Sequence, residues 1–509
     1  MTACLPTHSW ELAVEFGLGE LPKALPGRLR LDRSRTIREP WRLVDDFDWA
    51  LWANGHVLLV SAERARLASR DGDLLGVALA RPPGLPLSAG VLPEGPLRST
   101  VLRYTARPLL LRLECICHRQ EVRLRDSLGK MIAQGWVERW KLPGSTMPLM
   151  ELCLSPLRGY REEFAPVRSL LDAHAIRCPP ASPLLAALAK GAAGAFLPEL
   201  PDVGAELRDQ ASPIASVRDC LARLLANSWH NEKGVVDDLD PECLHHYRVN
   251  LRRARVLAAE TREILGPEAA ARLGRDLAAI ADRTGSLRDL DVQLANRQWY
   301  ESLLPEEQVC HLAPFMDSLA RQRQQQCRSL QRYLRSRTHG HRRERLGQLL
   351  GDHPDRGTFP SLPELLGRRI QHRFARLAHH GRSTGDEPSD GQLHRLRIQI
   401  KKLRYVSASS RALLSKARMK DWLGRLSDLQ DAFGDAHDLA VCRQWVTEYG
   451  TALGGTPDPR EAAAINALAN ALSQGLVARR ADAAQQLHRF LSDCRERDLP
   501  ARLGKEEGA

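Results

Sequence analysis

A basic motif that occurs twice, 149 residues apart, constrains the fold of this chain more than any other feature. The first copy is Leu244–Arg255 (LHHYRVNLRRAR), and the second is Leu393–Arg404 (LHRLRIQIKKLR). A second pair of segments keeps the same spacing, because Gly285–Leu290 (GSLRDL) corresponds to Gly434–Leu439 (GDAHDL). Two matches in one register indicate an internal duplication of the C-terminal half of the chain.

Each copy of the motif predicts an α-helix with a stripe of cationic side chains. At about 100° per residue, four basic or potentially basic positions of each copy fall within an arc of about 80°. These stripe residues are His245, Arg248, Arg252 and Arg255 in the first copy, and His394, Arg397, Lys401 and Arg404 in the second. Arg253 and Lys402 lie off the stripe, and apolar residues flank it on both sides.

Like charges that are gathered between apolar flanks are unfavourable unless something neutralises them. Acidic side chains could do so in an internal ion-pair network, for which the predicted partners are Asp289, Asp291, Asp435 and Asp438. A solvated basic face is a second possibility. Alternatively, the stripe lines a groove that binds a polyanion.

The charge balance of the whole chain favours an anionic partner. Its 509 residues carry a formal net charge of +12, with a pI of about 9.4, as expected for proteins that bind nucleic acid, an inorganic polyanion or an anionic membrane. The first residues lack the pattern of a secretory signal, and no stretch approaches the roughly 18 apolar residues of a membrane span. Eleven scattered cysteines predict reduced thiols and a cytoplasmic location.

The residue pattern along the chain predicts an α+β protein with two domains. Residues 1–195 are expected to form a β-rich domain, and residues 196–212 a linker. Residues 213–500 are expected to form an all-α domain, because helical spacing continues through most of them. Its two halves, about 213–350 and 364–500, correspond to the two copies of the duplication.

Alternation and turn residues predict the individual strands of the β-rich domain. Trp41–Trp52 and His56–Ser61 are predicted strands that a turn at Ala53–Gly55 would join. Val101–Glu114 is a further predicted strand. Ser127–Lys130 is predicted to close a hairpin.

Capping residues predict where the motif helices begin. Asp240 before Pro241 combines an N-cap side chain with proline at the first helical position. Asp390 is expected to cap the second motif helix in the same way. The helix predicted at Glu364–His379 carries further basic residues on one face, namely Arg369, Arg373 and Arg376.

The N-terminal half resembles the CYTH family, the triphosphate tunnel metalloenzymes, over roughly residues 8–195. The similar segments are VDDFDWALWANGHVLLV, HRQEVRLRDSLGKMIAQGWVERW and LMELCLSPLRGYREEFAPVRSLL. The family's ExExK motif corresponds to Glu11-Leu-Ala13-Val-Glu15, which lacks the second carboxylate and the lysine. The strand that should carry paired arginines reads Val57–Val60. The resemblance therefore implies a β-barrel-like domain that has lost its catalytic groups.

The C-terminal half resembles the CHAD family, the conserved histidine α-helical domain, over about residues 205–500. Both copies of His-x-x-Arg-x-x-x-(Arg/Lys)-(Arg/Lys)-x-Arg, and the Asp-Leu segment after each, carry this resemblance. CYTH-like and CHAD domains also occur fused in this order. The resemblance implies two pseudo-twofold-related helical bundles whose basic helices face a groove that binds inorganic polyphosphate. The implied polyphosphate-binding residues are the stripe residues with Arg253, Lys402, Arg288, Arg369, Arg373 and Arg376.

The chemistry of polyphosphate agrees with these residue types. Arginine makes forked hydrogen bonds to phosphate oxygens, and lysine supplies a point charge. Binding should weaken as salt rises, by analogy with counterion release from DNA. His245 and His394 would add positive charge as the pH falls through about 6.5. We assign no catalytic residue, metal ligand or cofactor.

Three other functions stay open at this stage. Nucleic-acid binding agrees with the basic charge, but aromatic residues make up only 5% of the chain and offer no clear stacking platform. A purely structural role at polyphosphate granules, with granule proteins as partners, is a second alternative to the non-enzymatic polyphosphate binding that we expect. A residual triphosphatase would need metal ligands, and the candidates are Glu11, Glu15, Asp45, Asp46, Asp48, Glu114, Glu121, Glu138 and Glu151.

Overall fold

The protein divides into two compact units, Met1–Leu200 and Pro201–Ala509. The structure is a computed structural model. This structure describes residues 8–12, 29–69, 74–79, 84, 86–143, 149–177, 184, 206–208, 212–351, 361–385, 388–413, 416–453, 458–494 and 499. The predicted linker and position Glu15 therefore lie largely or wholly outside the described residues.

One antiparallel sheet of ten strands organises the first unit. Its spatial order is β10-β1-β9-β8-β7-β3-β4-β5-β6, and β2 pairs with β7 beside this path. The strands are β1 His8–Glu11, β2 Arg30–Arg33, β3 Ile37–Asp45, β4 His56–Val60, β5 Arg64–Ser69, β6 Leu74–Leu79, β7 Leu110–Arg125, β8 Met131–Lys141, β9 Leu149–Pro156 and β10 Ile176–Arg177.

The sheet is curled into a half-barrel. Arg66 on β5 and Glu138 on β8 form an ion pair, with Nη1 and Oε2 2.9 Å apart. The two strands are four positions apart in the sheet, which is about 19 Å in a flat sheet at about 4.8 Å per strand. Curling therefore brings the side chains of distant strands together on the inner face.

The predicted hairpin at Ser127–Lys130 is confirmed as the connection between β7 and β8. Gly129 has a φ of 77°, a left-handed conformation that suits glycine. The Asp126 amide donates to the Lys130 carbonyl at 2.9 Å, and the Gly129 amide donates to the Asp126 carbonyl at 3.1 Å.

Two predicted strands are partly wrong, because local hydrogen bonds favour helix. Trp41–Trp52 contains β3 followed by the short helix α1, Ala50–Ala53. The buried Asp45 carboxylate accepts hydrogen bonds from the backbone amides of Leu51 and Trp52 and so holds this turn. The predicted strand at 101–114 begins inside α2, Pro96–Tyr104, which has proline in its first turn.

The described part of the second unit is helical, and one further helix, α3 (Arg161–His174), belongs to the first unit. The helices of the second unit are α4 Pro213–Val236, α5 Pro241–Glu260, α6 Arg262–Leu265, α7 Pro267–Asp282, α8 Gly285–Ala295, α9 Arg297–Ser302, α10 Glu306–Val309, α11 Ala313–Leu334, α12 Arg337–Leu350, α13 Leu362–Arg382, α14 Asp390–Ser409, α15 Lys416–Ala452 and α16 Pro459–Asp493. Among the described residues, none of the helices is both long and apolar enough to cross a lipid bilayer.

The helix boundaries repeat the spacing of the sequence duplication. Both ends of α5 and both ends of α14 are 149 residues apart, and so are the first residues of α4 and α13. The copies also differ, because α7 and α8 of the first half correspond to the single long helix α15 of the second.

The two motif helices begin with different caps. Asp240 caps α5 as predicted, because its side chain accepts a hydrogen bond from the Glu242 amide at 2.9 Å. The predicted cap Asp390 is wrong by one residue. Ser389 occupies the N-cap of α14 and forms a capping box with Gln392, which leaves the Asp390 carboxylate to pair with arginines of α15 and α16.

The two halves of the helical unit share a hydrophobic core. Tyr300 and Phe315 of the first half are fully buried in the same cluster as Cys442, Val446 and Leu468 of the second. The Asn296 side-chain amide also donates to the Cys442 sulfur at 3.5 Å. Neither half therefore buries its apolar residues independently of the other.

Candidate anion-binding site

The duplicated helices α5 and α14 pack against each other, and this brings their cationic stripes together. Lys401 of α14 is repelled by Arg252 and Arg248 of α5 as well as by Arg397 on its own helix. Arg288 of α8 adds a further cation beside Arg248. We call these five residues, Arg248, Arg252, Arg288, Arg397 and Lys401, the central cluster.

Three arginines of the central cluster are anchored by neighbouring groups. Arg248 donates from Nη1 to the Thr284 hydroxyl at 2.6 Å and to the carbonyl of Ala281 at 3.1 Å, at the end of α7. Arg397 lies 3.4 Å from an Asp438 carboxylate oxygen. Arg288 lies 3.2 Å from Glu242. These contacts fix the positions of the guanidinium groups without using all of their donors.

The two remaining cations, Arg252 and Lys401, are equivalent positions of the duplication. Within the part of the chain that the structure describes, neither makes a hydrogen bond or an ion pair, and the buried Nε of Arg397 also has no acceptor. Both side chains are half-buried. Arg252 and Arg397 both lie close enough to repel Lys401, and a phosphate oxygen is an acceptor that arginine and lysine donors bind well.

Burial and mutual repulsion depress the basicity of this cluster. Burial, together with the Arg397 and Arg252 charges, lowers the pKa of Lys401 to about 7. Burial also lowers the pKa of Arg248 and that of Arg397 below the ordinary value of arginine. The cations of the central cluster therefore repel one another, and an anion bound there would offset this repulsion.

The predicted charging of His245 near pH 6.5 is wrong. Burial and the neighbouring Arg288 lower the pKa of His245 to about 4, so the imidazole stays neutral at physiological pH. His437, the repeat equivalent of Arg288, likewise has a pKa lowered to about 4 by burial and by Arg397. His394 lies against His437, with ring centroids 5.5 Å apart. Within the central cluster, Lys401 is the residue whose pKa is brought near neutrality.

The four aspartates that were predicted to neutralise the stripe do so only in part. Asp438 contacts Arg397, and its repeat equivalent Asp289 attracts Arg248 and Arg288. Asp291 instead pairs with Arg323 of α11, 2.7 Å from it, because its side chain faces the opposite side of α8. Asp435 lies 3.6 Å from Arg479 of α16. For Asp291 and Asp435 the prediction is wrong, and the central cluster keeps an excess of positive charge.

A second basic group surrounds the buried Glu260 at the end of α5. Arg373 of α13 donates from Nε to Glu260 Oε1 at 2.8 Å. Lys402 lies near Arg373, Arg376 and Arg255, and burial with these charges lowers its pKa. The neighbouring Arg369 lies 2.6 Å from Glu263 and also donates to the Glu260 carbonyl. These residues tie α13 of the second half to the first half.

Two other predicted site residues lie outside both groups. Arg404 donates to the Gln430 side chain at 3.2 Å. Arg253 lies off the stripe, as the helical wheel predicts, and acts electrostatically on the Cys220 thiol of α4. The structure therefore separates the predicted polyphosphate-binding residues into a central cluster, a group around Glu260 and these two peripheral side chains. The two predicted histidines belong to none of these, because His245 lies beside Arg288 and His394 lies against His437.

On the inner face of the N-terminal sheet, arginines and carboxylates neutralise each other. Glu138 pairs with Arg66 and lies 3.2 Å from Arg119. Burial acts to raise the pKa of Glu138, but the charge of Arg66 holds this pKa below its ordinary value. Arg64 pairs with Glu39 nearby. Paired arginines were expected on β4, but they lie on the next strand, β5, where Arg64 and Arg66 occupy positions two residues apart.

Most carboxylates that could have been metal ligands have other partners. Asp45 and Asp46 accept backbone amides around α1, and Glu151 accepts the Ser9 hydroxyl at 2.7 Å. The others with partners pair with arginines, namely Asp48 with Arg107, Glu114 with Arg42, Glu121 with Arg123 and Glu138 with Arg66 and Arg119. The described ranges contain no group of three or more histidine, cysteine or acidic residues placed to hold a metal ion.

Several contacts of the basic side chains could not be predicted from any pattern in the sequence. Glu260 and Gln430 bind arginines that are more than 20 residues away in the chain. The Ala281 carbonyl is available to Arg248 only because α7 ends there. His437 could have been found, since the repeat aligns it with Arg288.

The chain is similar to one protein family and to solved structures. The sequence model of the CHAD domain matches residues 215–447. The crystal structure of the CHAD domain from the plant Ricinus communis is similar, with 21% identity, a TM-score of 0.48, and coverage of 59% of this chain and 99% of that chain. PptA from Streptomyces chartreusis is similar with 14% identity, a TM-score of 0.43, and coverage of 54% of this chain and 96% of that chain.

No curated protein matches the chain. The matched residues 215–447 nevertheless include both copies of the basic motif and both Asp-Leu segments. They extend over the helices that supply the central cluster and the group around Glu260. Residues 215–447 of this chain therefore form a CHAD domain.

Proposed function

We propose that the protein binds inorganic polyphosphate in the central cluster. The observation that carries this proposal is the pair Arg252 and Lys401, equivalent cations that lie together half-buried and make no ion pair within the described residues. A linear polyanion would supply an acceptor to both and continue along the stripe in either direction. A phosphate chain needs no other recognition chemistry, because it carries charge and acceptor oxygens only.

Nucleic acid is the competing ligand, and the environment of the cluster argues against it. Single-stranded nucleic acid gains much of its affinity from bases that stack on exposed aromatic rings. The aromatic residues of the two motif helices, Tyr247 and Tyr405, are both buried. They are therefore part of the core and offer no stacking surface beside the cations.

We further propose that the protein is not an enzyme. The N-terminal sheet is the part that a triphosphatase activity would require, and its inner arginines are paired with Glu138 and Glu39. A triphosphate would have to displace these carboxylates before it could bind. The expected result is that tripolyphosphate stays intact when the protein is incubated with magnesium or manganese, and release of phosphate would contradict this proposal.

The direct test is titration of the full chain with long-chain polyphosphate at several salt concentrations. The double variant Arg252→Ala/Lys401→Ala should lose most of the affinity. If both cations contact phosphates, it should also reduce the slope of log K against log salt by about 1.4, using the value for single-stranded nucleic acid. A change in affinity without a change in slope would mean that these two residues do not contact the anion.

A matched control removes the same charge elsewhere. Arg328 on α11 and Arg395 on α14 are exposed, and neither makes an ion pair within the described residues. Arg395 lies about 140° from the middle of the stripe on its own helix. Arg328→Ala/Arg395→Ala should therefore leave the affinity within about threefold of wild type, a difference of about 0.6 kcal/mol. Equal losses in both double variants would indicate nonspecific charge attraction.

Association with polyphosphate granules, and with proteins on them, would follow from the same binding. Competition between polyphosphate and DNA at fixed salt distinguishes this proposal from nucleic-acid binding. Long-chain polyphosphate should displace a fluorescent polyphosphate at lower phosphate concentration than DNA does at fixed salt. More effective competition by DNA would favour the nucleic-acid alternative.

A further inference from the structure

Lys401 differs chemically from the other cations of the central cluster, because it carries a primary amine that can act as a nucleophile. The amine makes no hydrogen bond or ion pair in the part of the chain that the structure describes. It is half-buried rather than enclosed, so that a small molecule can reach it. Its repeat equivalent, Arg252, has no comparable reactivity, because a guanidinium keeps its proton.

The charged groups around Lys401 come from three helices. Arg397 lies on α14 itself, and Arg252 and Arg248 face it from α5. From α15, Asp438 attracts it and His437 lies close enough to sense its charge. Cations thus outnumber Asp438 and the Asp289 carboxylate that attracts Arg248 and Arg397, which favours the neutral amine and at the same time attracts anionic molecules.

We propose that Lys401 is a modification site, acylated by acyl phosphates that bind in the central cluster. The inference rests on the proposed function, because the same guanidinium groups that would bind polyphosphate would bind the phosphate of the acyl donor. Arg252 would hold that phosphate next to the amine, and the charge of Arg397 beside it would add to the attraction. The carbonyl carbon then lies within reach of Lys401 Nζ.

The reaction balances without a further reactant. The lone pair of Lys401 Nζ attacks the carbonyl carbon, and a C–N bond forms. The bond between that carbon and the phosphate oxygen breaks, and inorganic phosphate leaves with the electron pair. The proton lost by the amine passes to the released phosphate or to water. The arginines stabilise the negative charge that the leaving group gains.

Acylation would also change the charge of the site. An amide at Lys401 removes one cation and adds bulk between α5 and α14. The cluster would keep its arginines but lose the lysine charge that faces Arg252. Acylated protein should therefore bind polyphosphate more weakly than unmodified protein, so that the metabolic supply of acyl phosphate would regulate binding.

The expected selectivity follows from the protonation state of the amine. At pH 7.5 a lysine with the pKa of Lys401, about 7, is unprotonated roughly 600 times more often than an ordinary lysine. Its lower basicity reduces the intrinsic nucleophilicity by about 30-fold, if amines follow the dependence known for thiols. The net advantage is therefore about 20-fold before any contribution from anion binding.

The test is incubation of the full chain with acetyl phosphate at pH 7.5, followed by peptide mass spectrometry over time. The chain contains only ten lysines, and Lys420 is an exposed control in the same domain. Lys401 should be acetylated at least about 20 times faster than Lys420. Tripolyphosphate should suppress the reaction at Lys401 and not at Lys420. An uncharged acetyl ester should show a smaller preference for Lys401 than acetyl phosphate does.

Equal rates at Lys401 and Lys420, or an equal preference with the uncharged ester, would overturn the proposal. Titration with polyphosphate in parallel separates this failure from failure of the proposed function. Wild-type protein should bind polyphosphate before treatment, and its affinity after treatment should fall in proportion to the fraction of Lys401 that is acetylated. Lys420→Arg, which removes the exposed control lysine, should behave like the wild type before and after treatment. Tight polyphosphate binding without selective acylation would refute the modification alone, and absence of both would refute the central cluster as an anion site.

Discussion

Replacing Lys401 by methionine should stabilise the ligand-free helical domain, because the native lysine is held in a place that disfavours its charge. Burial and the adjacent Arg397 lower its pKa from 10.5 to about 7. Methionine has a side chain of similar length, carries no charge and packs readily in irregular spaces. Lys401, which we expect to bind polyphosphate, thus lowers the stability of the protein when no polyphosphate is bound.

The pH dependence of this effect has a definite sign. Between pH 7 and 10.5 the unfolded chain binds a proton at Lys401 that the folded chain does not bind, so the wild type becomes more stable as the pH rises. The destabilising contribution of Lys401 to the free energy of unfolding has its full value below pH 7 and disappears above pH 10.5. The advantage of Lys401→Met should therefore be largest at pH 6 and fall by more than half at pH 9.

The magnitude follows from the same values. At about 1.4 kcal/mol per pKa unit, the difference between 10.5 and about 7 corresponds to at most about 5 kcal/mol. Because the side chain keeps partial contact with solvent, screening reduces the effect, and we expect about 2 kcal/mol at pH 6. An exposed control, Lys420→Met, should change the free energy of unfolding by no more than about 0.5 kcal/mol.

Urea unfolding followed by circular dichroism at 222 nm is a suitable assay, since most of the described helices belong to this domain. The midpoints of wild type, Lys401→Met and Lys420→Met would be compared at pH 6, 7.5 and 9. Saturating polyphosphate should reverse the order, because only the wild type gains the full binding energy. A variant that is no more stable at pH 6, or whose advantage grows with pH, would refute the reasoning.

Three further predictions concern single side chains. Asp438→Asn removes the carboxylate beside Arg397 and should tighten polyphosphate binding by about 1 kcal/mol, or fivefold, in titrations, and weaker binding would contradict this. Glu138→Gln leaves Arg66 buried without a full counter-charge and should cost the N-terminal domain about 3 kcal/mol in urea unfolding monitored by tryptophan fluorescence, while polyphosphate affinity stays unchanged. Gly135→Ala would place a Cβ 1.8 Å from a carbonyl oxygen of the neighbouring strand, so the same measurement should show a loss of about 3 kcal/mol or more, and an unaffected midpoint would disprove this packing.

The features that the sequence predicted well are those that depend on neighbouring residues in the chain. The two basic helices, the Asp240 cap and the hairpin at 127–130 each follow from a local pattern, and each is confirmed. The family resemblance added a long-range expectation, namely that the two basic helices face one groove, and α5 and α14 do pack against each other. Arg252 and Lys401 are equivalent positions that this packing brings together.

The features that were missed depend on tertiary contacts. The short helix α1 replaces the end of a predicted strand because Asp45 is buried and binds backbone amides there. The pairing of Arg373 with Glu260 needs the packing of α13 against α5, which no local pattern reveals. The neutral state of His245 is likewise an effect of burial, which its sequence neighbours do not indicate.

The core that joins Tyr300 and Phe315 to Cys442 and Leu468 also bears on how such a domain could have arisen. A single ancestral copy would have exposed its share of this core, and pairing with a second copy of itself would have covered it. The simplest ancestor is thus a homodimer with a twofold interface, which gene fusion later made one chain. Fusion freed the two copies to diverge, and this explains how one side of the site could exchange a permanent cation for a titratable amine.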